Sequence, residues 1–488
     1  MTWSVAENLA IGVMYQNSNR LYKLGLPERR PDQQRRMSAH YDIRTRSNVN
    51  DPLQVLESYL TKDRSIQYLR VYWNDMTGTT RMRAAHVDYV KKRLRSEGEF
   101  FLGITRASLG LLQNDTLAPG ADPVGQYKVY PDWSGVRLGP RKGYLSTYGE
   151  FRESDGSQSP LYPRTALRKA VEKGKVQGLA FLLGFELELI LMESSIAGIS
   201  RNTQSGGHMW SSSQIVDRPI FSIVEKALAY LRTVGIHIEQ VHAESAPGQF
   251  EIILPATGPL EAIDILLYVR EVVAQYASAE GYNMTLHPKP FAHSAGNASH
   301  VHISLCGDNG DDPAVYGSFY AGILTHLRAI CAFSYSSQAS YDRVQDGCWA
   351  GGRYVAWGTQ NRETPLRKVR HSHWELKCLD GIANPYLALA AVLHAGLDGV
   401  QRRTLLTWKD CKFDPATLTP EARAELGIRE MLPESLPEAL EEVAEDEVLK
   451  EGLGAGLVSR YVAVKGEEIN MLDAMGKEEA RQWMLERY

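Results

Sequence analysis

Two glutamates in one short apolar stretch are the first residues in this sequence that could carry chemistry. In residues 184–191, GFELELIL, the two-residue period of a β-strand puts Glu186 and Glu188 on one face. The opposite face is wholly apolar and consists of Phe185, Leu187, Leu189 and Leu191. Neighbouring carboxylates repel each other. The pair therefore predicts that a cation or water lies against these two side chains.

Three further strand-like stretches, HAESAPGQFEI, SHVHISL and HWELKCL, combine polar side chains with an apolar back in the same way. Their polar residues are Glu244, Glu251, His300, His302, Ser304 and Glu375. Each stretch taken alone is more typical of the wetted face of a strand. Together, the carboxylates with one or two imidazoles favour Mg²⁺ or Mn²⁺ over zinc, and two such ions in one cleft could clamp phosphates.

Arginines supply the second half of a phosphate-handling site. The segment TQNRETPLRKVRH contains Arg362, Arg367 and Arg370, and SYDRVQDG contains Arg343. Most arginines serve only as solvated surface. As planar fork donors, however, these residues would suit a phosphate or carboxylate that is held by two hydrogen bonds.

The elements that must position these residues indicate an α+β protein. QYLRVYWNDMTGTTRMRAAH predicts a β-hairpin centred on Thr77 and Gly78, and residues 138–163 are rich enough in glycine and proline to predict a loop-rich seam between two domains. Ser222 with Glu225 predicts a helix-capping box. Asn384 followed by a proline predicts the start of another helix.

The composition of the 488-residue chain excludes several classes of partner. A formal net charge of −4 gives no reason to expect nucleic acid or a membrane surface. No secretory leader is recognisable, and no run of about 18 apolar residues occurs. The five cysteines lack metal-type spacing, which is typical of a reducing compartment. The expected location is the cytoplasm.

In its ordered motifs the sequence resembles the glutamine synthetase family, most closely the class I branch with its fungal synthetase-like members. GFELELIL resembles the family's G-x-E-x-E strand, and HAESAPGQFEI its H-x-E-x-x-P-G-Q-x-E stretch. Four further segments follow in family order: HPKPFAHSAGNASHVHISL, TQNRETPLR, WELKCLDGIANPYLALAAVLHAGLDGV and LPESLPEALEEV. The resemblance begins near residue 52 and continues to the C-terminus.

The resemblance implies an N-terminal extension over residues 1–50, a small β-grasp domain over 51–160, and a catalytic α+β domain with a mostly antiparallel sheet over 161–488. It implies homo-oligomeric rings, decamers or dodecamers, with active sites between neighbouring subunits. The implied ligase uses ATP and two or three Mg²⁺ or Mn²⁺ ions. A small carboxylic acid is activated as an acyl phosphate, and an amine then displaces phosphate to form an amide.

Site roles follow from the resemblance position by position. One metal is assigned to Glu188, Glu244 and Glu251, and the other to Glu186, His300 and Glu375. Nucleotide contacts are assigned to Glu239, His302, Ser304 and Arg367. Arg362 matches the arginine that meets the transferring phosphate, and Gly296 and Arg343 match residues on the acid-substrate side. All these positions carry the residue type that the family has there.

The departures from the family fall mostly on the amine half of the reaction. An ungapped count from Arg343 places Trp349 where the family has a flap glutamate, and FFLGITRASLGLL contains no acid where the family has an aspartate for ammonium. Lys377 replaces an arginine and cannot reproduce its bidentate fork. Ala295 stands where the family has an asparagine near the acid substrate.

These departures lead to the hypothesis that the amine is larger than ammonia and that Trp349 lines an apolar or cation–π pocket for it. A different interpretation is that the flap alignment slips and Asp346 or Glu363 takes the place of the missing glutamate. The motifs are also compatible with an authentic glutamine synthetase that uses ammonia and with a non-catalytic ring-forming scaffold or regulator. A phosphotransferase of the phosphagen-kinase type is a third alternative, but the H-x-H and E-x-E strands are typical of the ligases.

Overall fold

Two β-sheets organise the chain in the computed structural model, which describes residues 51–195, 198–199 and 208–488. The predicted extension over residues 1–50 lies outside the described residues. The strands are β1 (Tyr68–Asn74), β2 (Thr80–His86), β3 (Leu102–Thr105), β4 (Gln126–Pro131), β5 (Arg137–Leu138), β6 (Tyr144–Arg152), β7 (Leu179–Ser195), β8 (Gly198–Ile199), β9 (Gln240–Ala243), β10 (Gln249–Ile253), β11 (Tyr282–Thr285), β12 (Ser299–Gly307), β13 (Trp357–Thr359), β14 (Leu366–Arg370) and β15 (His373–Leu376).

Helices lie between and after these strands. In the described ranges they are α1 (Pro52–Lys62), α2 (Val87–Glu97), α3 (Pro163–Val176), α4 (Pro219–Thr233), α5 (Pro259–Ala279), α6 (Pro313–Thr325), α7 (Leu327–Ser334), α8 (Gln338–Arg343), α9 (Pro385–Arg402), α10 (Pro420–Glu425), α11 (Leu436–Glu445), α12 (Glu447–Leu453), α13 (Ala455–Asp473) and α14 (Lys477–Arg487). None of them is both long and apolar enough to cross a membrane. The mixture of helices with two separate sheets confirms the α+β class.

The first sheet has the strand order β2-β1-β6-β4-β3, with β5 paired to β6. The predicted hairpin is confirmed, because β1 and β2 are antiparallel and joined by a turn around Gly78. The predicted loop-rich seam is wrong over residues 144–152, which form β6, a strand with a parallel pairing to β1. Its Tyr, Leu and Phe residues bury into the sheet and override the local glycine signal. The β-grasp description and the boundary near residue 160 stay predictions.

The second sheet carries the residues of chemical interest. Its strand order is β13-β14-β15-β12-β7-β10-β9, with β8 and β11 also paired to β7. Only the β13–β14 pair is parallel among its described pairs. The back of β7 is apolar as predicted, since Phe185, Leu187 and Leu189 are at most 1% exposed. Helices α3 and α5 contact this strand, so the polar front faces away from the core.

Two contacts join the hairpin of the first sheet to the segment where α9 begins. Asn384 caps α9 as predicted, because its Oδ1 accepts the Leu387 N–H at 3.1 Å, and its Nδ2 donates to the Asp75 carbonyl at 2.7 Å. A Cβ at Gly78 would lie 2.2 Å from the Ile382 carbonyl oxygen, and the residue has a φ of +88°. Glycine is therefore required where the hairpin meets this segment.

A buried charge cluster connects α3 to the first sheet and to α5. Arg164 is 1% exposed and contacts Asp132 at 2.7 Å and Asp264 at 2.9 Å. The Tyr386 hydroxyl donates to Asp264 at 2.6 Å. Because buried ions must be paired, this cluster fixes the position of α3 behind β7.

The start of α4 differs from the prediction. The capping box expected at Ser222 is wrong, because the helix begins at Pro219, one turn earlier, with Arg218 as its N-cap. Proline is pre-organised for the first helical position and outweighs the Ser-x-x-Glu pattern here.

Candidate active site

A cleft of ≈ 1420 Å³ lies over the polar front of the second sheet. All six predicted metal ligands line it: Glu186, Glu188, Glu244, Glu251, His300 and Glu375. Gly296, Arg343, Trp349, Arg362, Arg367 and Lys377 line it as well. Three predicted nucleotide residues, Glu239, His302 and Ser304, are not part of this lining. The structure thus brings together most of the predicted site residues.

Strand register explains how one half of the site forms. Glu188 on β7 lies directly opposite Glu251 on β10, which in turn lies opposite His242 on β9. Glu244 follows β9, and its Oε1 lies 2.9 Å from His242 Nε2. Opposed residues of an antiparallel pair point to the same face, so three carboxylates and one imidazole converge.

The other half forms on β12, β15 and β14. Glu186 lies opposite His300, and Glu375 lies opposite both His302 and Arg367. His300 Nδ1 is 3.5 Å from Glu186 Oε2 and 3.3 Å from Glu375 Oε1. His302 Nε2 is 2.9 Å from Glu186 Oε1. The two histidines of H-x-H therefore both contact the same glutamate.

The carboxylates of the first half are crowded. Glu188 Oε2 accepts hydrogen bonds from Gln249 Nε2 at 2.8 Å and from the Ala298 N–H at 2.9 Å. Burial, with the charge of Glu244, nevertheless raises the pKa of Glu188 from 4.5 to about 7. Burial and the neighbouring glutamates also raise the pKa of Glu251. Additional positive charge is needed here to keep these groups ionised.

Protein cations already contribute to the second half. Burial raises the pKa of Glu186, but hydrogen bonds with the two histidines bring it below its usual range. Burial and the charge of Lys377 lower the pKa of His300 to about 4, so the imidazole is neutral and able to ligate a metal. Lys377 Nζ lies 3.4 Å from Glu375 Oε1, and Arg367 Nε lies 2.7 Å from Glu375 Oε2.

Two groups of donor atoms in the described ranges have the spacing of metal sites, each with its atoms within 4.8 Å of one another. The groups are Glu186, His302 and Glu375, and His242, Glu244 and Glu251. His300 lies beside the first of these groups, because its Nδ1 is 3.5 Å or less from both Glu186 and Glu375. Carboxylate oxygens with single imidazoles fit Mg²⁺ or Mn²⁺. The assignment of ligands to individual ions stays a prediction. The first group contains His302 in place of the expected His300, and the second contains His242 in place of the expected Glu188.

The cleft contains a buried arginine, Arg343. Arg343, at the end of α8, is 4% exposed, and its Nε and Nη2 have no hydrogen-bond partner in the described part of the chain. A Cβ at Gly296 would lie 2.3 Å from Arg343 Cγ, so glycine is required at that position for this approach. An unpaired buried guanidinium is suited to an anionic ligand.

The loop that follows α8 carries Trp349. This side chain is 64% exposed, lines the cleft, and belongs to a residue with a φ of +56°. Its backbone N–H donates to Glu363 Oε1 at 2.8 Å. Asp346, the other acid considered for the missing flap glutamate, contacts Arg353 Nε through Oδ2 at 3.0 Å.

Two cleft residues were missed in the sequence. His242 contacts Glu244, and the signal was its place two residues before that glutamate in H-x-E. Trp210 is 59% exposed, lines the cleft, and has its ring centroid 6.2 Å from that of His242. Nothing in its local sequence pattern indicated a role.

The buried Glu188 makes the stability of the metal-free protein depend on pH. Its raised pKa means that the folded state binds the proton more tightly, so stability is lost as pH rises from about 4.5 to about 7. We expect Glu188→Gln and the wild type to have similar Tm values at pH 5, and the variant to be more stable at pH 8 by up to about 3 kcal/mol.

Thermal unfolding with a chelator present measures this difference, and comparison of the two proteins cancels the titration of groups distant from Glu188. Added Mg²⁺ at pH 8 should raise the Tm of the wild type more than that of the variant. A wild type that gains stability over the variant as the pH rises would contradict the assignment.

Comparison with known proteins agrees with this geometry. Residues 160–488 match the family model described as the glutamine synthetase catalytic domain. Protein fluG of Emericella nidulans is 36% identical over 99% of this chain, although the chain spans only 55% of that protein. This alignment therefore includes N-terminal residues that precede the region of motif resemblance.

A bacterial relative and a solved structure complete the comparison. The gamma-glutamylpolyamine synthetase GlnA3 of Streptomyces coelicolor is 32% identical over 74% of this chain and 81% of its own length. The solved structure of GmaS in its ADP complex has a TM-score of 0.76, covering 88% of this chain and 98% of that chain at 23% identity. This structural likeness shows a shared fold.

Proposed function

The chain belongs to the glutamine synthetase family, and from that premise we propose that it is an ATP-dependent ligase that joins a small carboxylic acid to an amine larger than ammonia. The family is ATP-dependent and uses divalent metals. The acid we propose is glutamate or a close analogue, because one relative carries gamma-glutamylpolyamine in its name. Glutamine formation from ammonia and a non-catalytic scaffold are the two competing functions.

The observation that carries the proposal is the exposed Trp349 in a cleft that otherwise has the parts for phosphoryl transfer. Carboxylate–imidazole groups and the unpaired Arg343 line the same cleft. At the position of the family's flap glutamate, an indole ring with 64% exposure faces solvent at this cleft. An aromatic surface suits the alkyl part of an amine, and ammonia has no such part.

Each group of residues has a proposed part in the reaction. The six predicted ligands would hold two or three Mg²⁺ or Mn²⁺ ions, which when bound neutralise phosphate charge: Glu186, Glu188, Glu244, Glu251, His300 and Glu375. Arg343 would bind the acid carboxylate, and Arg362 the transferring phosphoryl group. Gly296 and Lys377 would complete the acid side, with Glu239, His302, Ser304 and Arg367 at the nucleotide. Activation as an acyl phosphate gives the poorly electrophilic carboxylate a leaving group.

The proposal extends to the assembly and the location of the protein. Rings of ten or twelve copies, with active sites between neighbouring subunits, are the arrangement that the family resemblance implies. The cytoplasm is the proposed compartment, because all five cysteines, which lie in the described part of the chain, are free.

A matrix of acids and amines with ATP and Mg²⁺, analysed by mass spectrometry of the products, tests the proposal. We expect an amide from glutamate or a similar acid with at least one alkylamine or polyamine, at a kcat/KM at least about tenfold above that for ammonia, as expected when an apolar group of several carbons is bound.

The remaining outcomes separate the competing functions. Faster turnover of ammonia than of every larger amine would make the protein an authentic glutamine synthetase. Nucleotide and metal binding without ATP-dependent phosphate release, across the whole matrix, would favour the scaffold.

A further inference from the structure

A buried glutamate beneath the Trp349 loop has no part in the function proposed so far. Glu363 lies in the turn between β13 and β14 and is 9% exposed, yet it belongs to the lining of the cleft. Its Oε1 accepts the Trp349 N–H at 2.8 Å. The Gly347 N–H also interacts with this carboxylate, but Oε2 is buried and has no partner at hydrogen-bond geometry among the described residues. A buried carboxylate oxygen without a donor needs a ligand to satisfy it.

We propose that the Glu363 carboxylate binds the protonated nitrogen of the amine substrate and removes its first proton. This inference rests on the proposed ligase function and names the group that recognises the amine. Glu363 would supply the negative charge that the family's flap glutamate has and Trp349 lacks. Trp349 would then contact the organic part of the same amine.

The other acids near this loop are less suited to bind and deprotonate the amine. Asp346 also has one oxygen without a partner, but its Oδ2 contacts both Nε and Nη2 of Arg353, so its charge is already neutralised. Asp342 lines the cleft but is exposed. Burial raises the pKa of Glu363, which makes its carboxylate a stronger base than a solvated one.

The chemistry balances with groups already named. The ammonium group R–NH₃⁺ passes one proton to the Glu363 carboxylate, which frees the nitrogen lone pair. That pair forms the C–N bond to the acyl carbon while the C–O bond to phosphate breaks. The second nitrogen proton leaves with the departing phosphate, and the product is a secondary amide R–NH–C(=O).

A purely structural part for Glu363 is the competing explanation, because Oε1 holds the Trp349 backbone. Glu363→Gln separates the two explanations, since its amide oxygen still accepts that N–H but the charge and the base are lost. Glu363→Ala removes both. Hydroxylamine, which is uncharged near neutral pH, supplies a nucleophile that needs no carboxylate for binding or proton removal.

In Glu363→Gln we expect kcat/KM for the best amine to fall at least about 100-fold. Hydroxamate formation from hydroxylamine, and ADP formation with the acid alone, should stay within about threefold of the wild type. Glu363→Ala should lose hydroxamate formation as well, because the loop is released. Asp342→Asn, a carboxylate on the same cleft, is the matched control and should keep all three activities.

Two results would overturn the inference. One is a Glu363→Gln enzyme that retains amide formation from the amine, and the other is an equal fall with amine and hydroxylamine, which indicates a loop anchor. A wild-type protein that forms no amide with any amine would instead contradict the proposed function, so the two failures are distinguishable.

Discussion

Replacement of Glu188 with alanine is expected to lower ATP-dependent amide formation by at least about 100-fold, since loss even of groups behind metal ligands costs about 10- to 100-fold. Glu188 lies at the centre of the sheet, opposite Glu251. Its side chain also accepts hydrogen bonds from Gln249 and the Ala298 N–H, which fix its orientation. Removal of this carboxylate leaves Glu244 and Glu251 to hold the proposed ion without their central partner.

Activity should be followed together with Mg²⁺ affinity, measured by titration of the nucleotide-free protein. Glu188→Gln keeps an acceptor for Gln249 and the Ala298 N–H, so it serves if the alanine variant does not fold. Glu193→Ala, on the same strand but outside the lining of the cleft, is the control. Near-full activity in either Glu188 variant would show that the metal assignment is wrong.

The sequence was sufficient to predict the sheet that carries the site. A period of two with polar residues on one face and buried leucines on the other is a strong signal, and β7, β10, β12 and β15 all form where it occurs. Antiparallel register then places Glu188 opposite Glu251 and Glu186 opposite His300. The predicted convergence of these side chains on one cleft is confirmed, whereas their roles stay predictions.

What could not be predicted depends on contacts between residues distant in the chain. β6 was missed because its burial against β1 and β4 is a property of the assembled sheet. His242 was passed over although it stands in the H-x-E motif, because its place opposite Glu251 is set by strand pairing. The hydrogen bond from the Trp349 N–H to Glu363 joins two loop segments, and loop geometry carries no periodic signal.

The loop contacts also change how the missing flap glutamate is understood. The two acids offered as replacements have different surroundings, because Asp346 is paired with Arg353 while Glu363 keeps an oxygen without a partner among the described residues. With Trp349 at the predicted flap position, a carboxylate therefore still lies on this side of the cleft, at Glu363. The exposed side chain at the predicted flap position is aromatic, whereas the carboxylate beneath it is buried.

Arg362→Ala is expected to lower kcat by about 100- to 1000-fold while the KM for ATP changes little, because a cation aimed at the transferring phosphoryl group acts mainly in the transition state. Arg362 lies in the turn between β13 and β14, is exposed, and lines the cleft. No ion pair or hydrogen bond engages its side chain within the described residues, whereas Arg367 is held by Glu375. An unpaired arginine is free to follow the phosphoryl group without breaking a contact.

Steady-state rates at saturating acid and amine, with ATP varied, give kcat and KM separately. Arg362→Lys should recover only part of the lost rate, because a lysine supplies the charge but not the planar fork. Lys412→Ala removes an exposed cation from the same cleft and is the matched control, with little change expected. A raised KM for ATP with unchanged kcat in Arg362→Ala would place this arginine in ground-state nucleotide binding and contradict a part in the transfer step.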